Sequence, residues 1–155
     1  MPAAPPVLEV EIAALENVAA SIPESYKDLL EKPVFVTLGT VNTNGQPQLS
    51  VIWCSFDGTH IWVNTTRGRL KEKNMAARPR VSILAIDPEN SYRYLEVRGT
   101  VDEVTEEGAV DHIHQLSQMY TNQPYYGGYA PAERAEQETR VIYKIKPTKV
   151  VVFGH

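Results

Sequence analysis

Two glycine turns constrain this chain more than any other feature. Asn44-Gly45 and Asp57-Gly58 punctuate three runs rich in apolar, β-branched and aromatic residues, over 34–41, 48–56 and 60–64. An Asn-Gly pair between such runs supplies the positive φ that a tight hairpin needs, so the runs read as consecutive antiparallel strands. Further strands are predicted over 81–87 and 92–104, parted by Pro88-Glu89-Asn90, and over 140–145 and 149–153, parted by Pro147. Gly99 falls inside the longest of them, where a bulge or sharp bend allows a small barrel to close. Helical periodicity falls between strands without the strand–helix alternation of a parallel sheet. The fold class that follows is mostly β, an antiparallel barrel with peripheral helices.

A helix is predicted from Thr105 to about Asn122, because Val110, Ile113, Leu116 and Tyr120 recur at helical spacing. A brief one follows over 131–137. An earlier helix starts near Pro23: Ser21 and Glu24 have the spacing of a capping box, Tyr26, Leu29 and Leu30 give it an apolar face, and Pro33 ends it. Residues 1–6 are proline-rich and read as an extended arm, and 7–20 as a short amphipathic helix or an irregular segment over the core. The expected division is an N-terminal arm or helix over 1–20 and a single domain over 21–155. Between the last helices, YTNQPYYGGY at 120–129 is a tyrosine-rich loop, either packed onto the barrel or a flexible lid or wall beside a planar ligand.

Charge singles out one segment. The formal net charge is -4, yet Arg67, Arg69, Lys71, Lys73, Arg78 and Arg80 crowd around a single acid, Glu72, between a predicted strand and the next. A solvated surface accounts for such a run as well as an anion site does. Its position favours the second reading: Thr65 or Thr66 can cap the turn, and a helix beginning there turns free N–H groups outward. Arg69 offers a planar fork of donors and Lys71 a compact ammonium, a combination suited to phosphate.

Other classes of function find little support. The acidic balance disfavours nucleic acid, although a small barrel with aromatic residues and local positive charge leaves single-strand binding as a remote alternative. The single Cys54 requires no oxidising compartment. The N-terminus has no basic region before its apolar part, and no apolar run reaches membrane-spanning length, so a cytoplasmic protein is expected. His112 and His114, two apart on a helix, do not share a face as a metal pair would. No Ser-His-Asp order, nucleophile elbow or glycine-rich dinucleotide fingerprint is present. Trp53 and Trp62 read as core, interface or ring platforms, and Glu96 and Arg98 as an exposed face or a subunit contact.

Three stretches carry a family resemblance: TLGTVNTNGQPQLSVIW at 37–53, IWVNTTRGRLKEKNMAARPRVSILAID at 61–87 and YRYLEVRGTVDEV at 92–104. Together they resemble the split-barrel flavin/deazaflavin oxidoreductases, the pyridoxamine 5'-phosphate oxidase-like superfamily, and especially its small F420-binding branch. The resemblance implies a six- or seven-stranded antiparallel split β-barrel of the FMN-binding type, a homodimer, and cofactor clefts at the dimer interface. It also implies site residues. Arg69 and Lys71 match an R-x-K phosphate signature, with Asn74 as the following asparagine and Thr65 and Thr66 at the phosphate-contacting strand end. Gln48, Leu49, Ser50 and Val51 match the strand lining the cofactor, and Val81 and Ser82 its neighbour. The 120–129 loop falls where such proteins diverge and shape their substrate pockets.

A deazaflavin or flavin brings its own hydride chemistry, so no catalytic side chain is required. RGRLKEKN and the short chain favour F420, with FMN as the alternative cofactor. The C-terminal PTKVVVFGH lacks the arginine/histidine motif of true pyridoxamine phosphate oxidases, which argues against a vitamin B6 phosphate as substrate. The expected activity is hydride transfer from reduced F420 to a small conjugated or heteroaromatic acceptor. Alternatives are an FMN-binding relative, or a barrel that binds flavin, F420 or haem without turnover.

Overall fold

The computed structural model describes residues 7–10 and 20–155. Eight strands form one antiparallel sheet: β1 (Val7–Val10), β2 (Val36–Val41), β3 (Pro47–Ile52), β4 (Cys54–Phe56), β5 (Ile61–Thr66), β6 (Arg80–Asp87), β7 (Asn90–Thr105) and β8 (Arg140–Phe153). Their spatial order is β3-β2-β6-β7-β8-β5-β4, with β1 paired to the last residues of β8. β3 and β4 stand at opposite ends of that path, yet only Trp53 separates them in sequence. One residue cannot span an open sheet, so the sheet must curl until its two ends meet at Trp53. The half-barrel is thus imposed by connectivity.

The hairpin turn forms as its sequence predicts: Gly45 has φ of 88° and its N–H donates to Asn42 O at 2.9 Å. Gly99 marks the sharpest change along β7. The β7–β8 register shifts between Arg98 and Gly99, and a Cβ on Gly99 would lie 2.6 Å from Ile145 Cγ2 and 2.7 Å from Lys146 O. Opposite Gly99 stands Pro147. A proline without an N–H is tolerated at such a bulge, and β8 therefore runs through it as one strand instead of the two expected.

Alternation sorts the strands into an inner and an outer face. Val36, Leu38, Ile52, Ile83, Leu95, Val97, Tyr143 and Val150 are among the buried inner residues. Helix α1 (Asp28–Glu31) brings Leu29 and Leu30 to the end of the barrel where β2 begins, and helix α2 (Leu70–Ala77) brings Met75 to the end where β2 finishes. Helix α3 (Ala109–Thr121) lies on β5 and β8, and with the tyrosine loop forms a second apolar cluster around Ile113, Leu116 and Tyr125.

Several local expectations are corrected. Ser21 makes no cap: α1 is preceded by a 3-10 turn at Glu24–Tyr26 whose N-cap is Pro23, and Tyr26 Oη instead donates to Gly154 O. Helix α3 starts at Ala109, after Gly108 in the left-handed region, and the 131–137 segment is a 3-10 turn at Ala132–Glu136. Within 1–20, Val7–Val10 is a strand and not part of a helix; 1–6 and 11–19 lie outside the described residues.

Because the contacts around Gly99 include backbone on β8, Gly99→Ala forces a shift of the ladder itself. A loss of roughly 2 kcal/mol or more is expected, seen as a lower urea midpoint. An unchanged midpoint contradicts this account of the bend.

Candidate functional site

After β5 the chain turns at Gly68, whose φ is 92°, and Arg69 takes an extended N-cap conformation before α2. Leu70–Ala77 is built of good helix formers and ends two residues before Pro79. Neither threonine hydroxyl caps the helix. The turn closes through the backbone instead, Arg69 N–H donating to Thr66 O at 3.4 Å. The N–H groups of the first turn of α2 consequently have no intrahelical acceptor.

Two polar ties fix α2 from beneath. Glu72, buried, accepts from Tyr143 Oη and from Gly68 N–H, and its other near neighbour is Arg67 at 3.6 Å. Burial works to raise the Glu72 carboxyl, but those hydrogen bonds and the Arg67 charge outweigh it and hold the group below its ordinary range. Asn74 donates to Thr40 Oγ1 at 3.0 Å and to Asn42 Oδ1 at 2.9 Å, and accepts from Arg78 at 3.0 Å. Thr40 in turn donates to Gln48 Oε1 at 2.7 Å. A chain of side chains therefore links α2 to β2 and β3.

The basic residues of the segment divide. Arg67 pairs with Glu106 at 2.9 Å, and Arg78 donates to Val41 O at 2.7 Å. Among the described residues Arg69, 45% exposed, reaches only Glu138, at 3.6 Å. Lys71 is half-buried and has no ion-pair or hydrogen-bond partner among the described residues. Burial, then the charges of Arg69 and Arg140, lower its ammonium below the usual lysine range. Arg140 enters from the start of β8, which is paired with Thr66. Its buried guanidinium donates to Asn64 Oδ1 at 2.8 Å and lies over the Tyr125 ring at 5.0 Å.

The structure distributes the sequence-predicted residues over three environments. Thr65, Thr66, Arg69 and Lys71 gather where β5 meets α2. Thr65 is fully buried, and its hydroxyl, like that of Ser50, has no hydrogen-bond partner among the described residues. Asn74 and Gln48 belong to the ties described above, and every polar atom of the Asn74 amide is engaged there. Leu49, Val51 and Ser82 face outward, with Leu49 and Val51 each 67% exposed. Gly39, Leu49, Ser82, Leu84, Ile86 and Tyr94 help line an outer groove of about 540 Å³. Val81 points into the core, so that only its backbone is available to a ligand.

Sequence does not single out Arg140, Glu138 or Arg134, and marks Tyr126 only as part of the tyrosine-rich loop. Their proximity to Arg69 comes from the β5–β8 pairing, a contact between segments more than seventy residues apart that no local pattern announces. The tyrosine loop is packed at its base: Tyr125 is buried, Tyr126 Oη donates to Glu138 at 2.8 Å, and Tyr120 Oη donates to Val34 O at 2.8 Å, while Tyr129 stays 56% exposed. Trp53 stacks on Tyr120 with centroids 5.3 Å apart and meets Tyr129 edge-on at 4.9 Å. Phe35 adds an edge contact to Tyr120 at 5.7 Å and is itself 63% exposed.

Behind Arg140 lies His112. Its Nδ1 accepts from Asn64 at 3.1 Å, which leaves Nε2–H to donate to Ser55 Oγ at 2.9 Å. Burial, then Arg140 and Lys144, push its pKa down from 6.5 to about 4.

A curled antiparallel half-barrel with a polar, cationic helix end defines a split-barrel protein. Residues 22–153 match the family described as pyridoxamine 5'-phosphate oxidase, and the chain belongs to that family of split-barrel oxidoreductases. A solved F420 reductase is 36% identical, with a TM-score of 0.72 over 83% of this chain and 98% of its own. The conserved hypothetical protein Rv2991 from Mycobacterium tuberculosis is 28% identical, with a TM-score of 0.60 over 79% and 78%. Group A Streptococcus HupZ, at 19% identity and a TM-score of 0.59 over 83% and 91%, shares the fold. None of the curated proteins matches.

His112 generates a prediction with a definite sign. The unfolded chain takes up a proton as pH falls through 6.5, whereas the folded one resists until about 4. The stability His112 contributes is therefore complete above pH 6.5 and is lost as pH falls through about 4, by up to about 3 kcal/mol. Urea titrations across that window should show a slope that His112→Gln flattens. An equal slope in wild type and variant contradicts the neutral, locked histidine.

Proposed function

We propose that this chain is an F420H2-dependent reductase that passes a hydride from the reduced deazaflavin to a small conjugated or heteroaromatic acceptor. The observation that carries the reading is Lys71, a half-buried ammonium with no acid partner among the described residues, beside Arg69 and Arg140 at the open first turn of α2. Clustered like charges are unfavourable unless an anion completes them. The likeness to a solved F420 reductase along nearly all of that protein supports the deazaflavin.

The residues present fit such a group. Arg69 and Lys71 would hold its phosphate, with first-turn N–H groups of α2 as further donors. The orphan hydroxyls of Thr65 and Ser50 are donors still to be satisfied. Backbone groups of Gln48, Leu49, Ser50 and Val51 would satisfy the polar edge of the ring, with Ser82 and the Val81 backbone from the neighbouring strand. Asn74 acts one step back by holding α2 to β2. Bound F420H2 supplies the hydride from C5. Phe35, Trp53 and Tyr129 offer aromatic surface on which a planar acceptor can stack.

Leu49, Val51 and Ile86 leave apolar side chains exposed on one outer face. A second copy covers that face in this reading, giving a C2 dimer with a cofactor cleft on each side. FMN is the second reading, favoured by the family match, because its terminal phosphate makes the same demand on Arg69 and Lys71.

Spectroscopic titration with F420 and with FMN decides between the two. F420 is expected to bind at micromolar concentration or tighter and to be oxidised, in its reduced form, by enones, quinones or nitro compounds. Arg69→Ala/Lys71→Ala should weaken binding by roughly 30-fold or more, the loss of two charge-assisted contacts. FMN binding without F420 binding rejects the cofactor, and F420 binding without turnover rejects the enzyme. Light scattering at micromolar concentration is expected to show a dimer, and a monomer rejects that assembly.

A further inference from the structure

Cations outnumber acids where α2 meets β8. Arg69, Arg134 and Arg140 surround one carboxylate, Glu138, and Lys71 stands close to Arg69 and Arg140 without joining it. The Glu138 side chain is only 13% exposed. Its contacts with the arginines are loose: 3.6 Å from Oε1 to Arg69 Nη2, 3.9 Å from Oε1 to Arg134 Nε and 3.5 Å from Oε2 to Arg140 Nη1. The one short bond it accepts, 2.8 Å from Tyr126 Oη, comes from a neutral group. Arg69 and Arg134 are both more than two-fifths exposed. A carboxylate held firmly by a neutral donor and weakly by three guanidiniums attracts them without fixing their positions.

We propose that Glu138 is an internal anion that shares Arg69 and Arg140 with the ligand's anionic group and competes with it for them. Arg69 swings from the Glu138 side toward the first turn of α2 when a ligand anion arrives, while Arg140 stays in place, held by Asn64 and stacked on Tyr125. The carboxylate therefore sets how tightly the site holds any anion, and lowers its occupancy by weak ones. Nothing in the sequence around Glu138 marks it for this, since its neighbours Glu133 and Glu136 carry the same charge and are exposed. What distinguishes Glu138 is its placement among the three arginines.

The proposal rests on the anion site described under the proposed function, and its test separates the two. Glu138→Gln keeps shape and the acceptor for Tyr126 while removing the charge, and Glu136→Gln removes an equal charge from the exposed turn. Inorganic pyrophosphate, F420 and FMN are titrated by calorimetry into wild type and both variants at two salt concentrations. Melting curves without ligand confirm that each variant is folded. Glu138→Gln is expected to bind pyrophosphate and the bound cofactor about 3- to 10-fold tighter, with a steeper salt dependence, and Glu136→Gln to stay within about twofold of wild type. Equal or weaker binding by Glu138→Gln overturns the proposal and makes Glu138 a group that positions Arg69. Equal tightening by both variants also overturns it, because the effect is then one of overall charge. If pyrophosphate responds as expected while neither F420 nor FMN binds, the cofactor reading fails and the role of Glu138 stands. Absence of binding by every ligand in every variant overturns both.

Discussion

The site depends on how an eight-residue helix is held. A helix as short as α2 has no stability of its own, and on its buried side it presents only one apolar residue, Met75, beside Glu72 and Asn74. Packing alone does not fix such an element. The two buried polar ties do: Glu72 to Tyr143 and the Gly68 N–H, and Asn74 to Thr40 and Asn42. Each joins α2 to a different part of the barrel, β8 through Tyr143 and β2 through Thr40. Losing one partner would strand buried polar groups at about 1–3 kcal/mol each, so the geometry is strongly specified. With α2 anchored, the directions of Arg69 and Lys71 and the open first turn follow.

Closure of the sheet supplies the rest. The single-residue link at Trp53 sets the Trp53 ring against Tyr120 and Tyr129, directly after the strand that carries exposed Leu49 and Val51. The β5–β8 ladder brings Arg140 to Thr66 and hence to the helix end. Strand order thus positions both the charged helix end and the aromatic surface, the two features on which the proposed cofactor site rests. The cation cluster has an energetic consequence as well: burial and the charges of Arg69 and Arg140 disfavour the Lys71 ammonium, a cost that a bound anion would offset.

Much of the fold is legible in the chain because its signals are local. Asn44-Gly45 forms the hairpin, Gly99 the bulge, and the apolar spacing from Ile113 to Tyr120 a helix on the barrel. Misreadings arise where a distant partner overrides a local preference. Pro147 does not end a strand because Gly99 opposite it relaxes the ladder, and Trp53 breaks a run that looked continuous. The Ser21–Glu24 spacing forms no cap because Tyr26 docks onto the C-terminal segment at Gly154. At the candidate site, Arg69 and Lys71 were visible as charge on a helix end. Glu138 and Arg140 were not, since their role exists only through pairing across more than seventy residues. Asn74 was visible as a motif residue, but the bonds beneath α2 show it bracing the helix.

A crystal structure with the cofactor bound tests the central claim most directly. The account predicts its phosphate at the first turn of α2, with an oxygen about 3 Å from Lys71 Nζ and a second contact from Arg69. A bound cofactor whose phosphate lies elsewhere, with Lys71 still lacking an anionic partner, would contradict it.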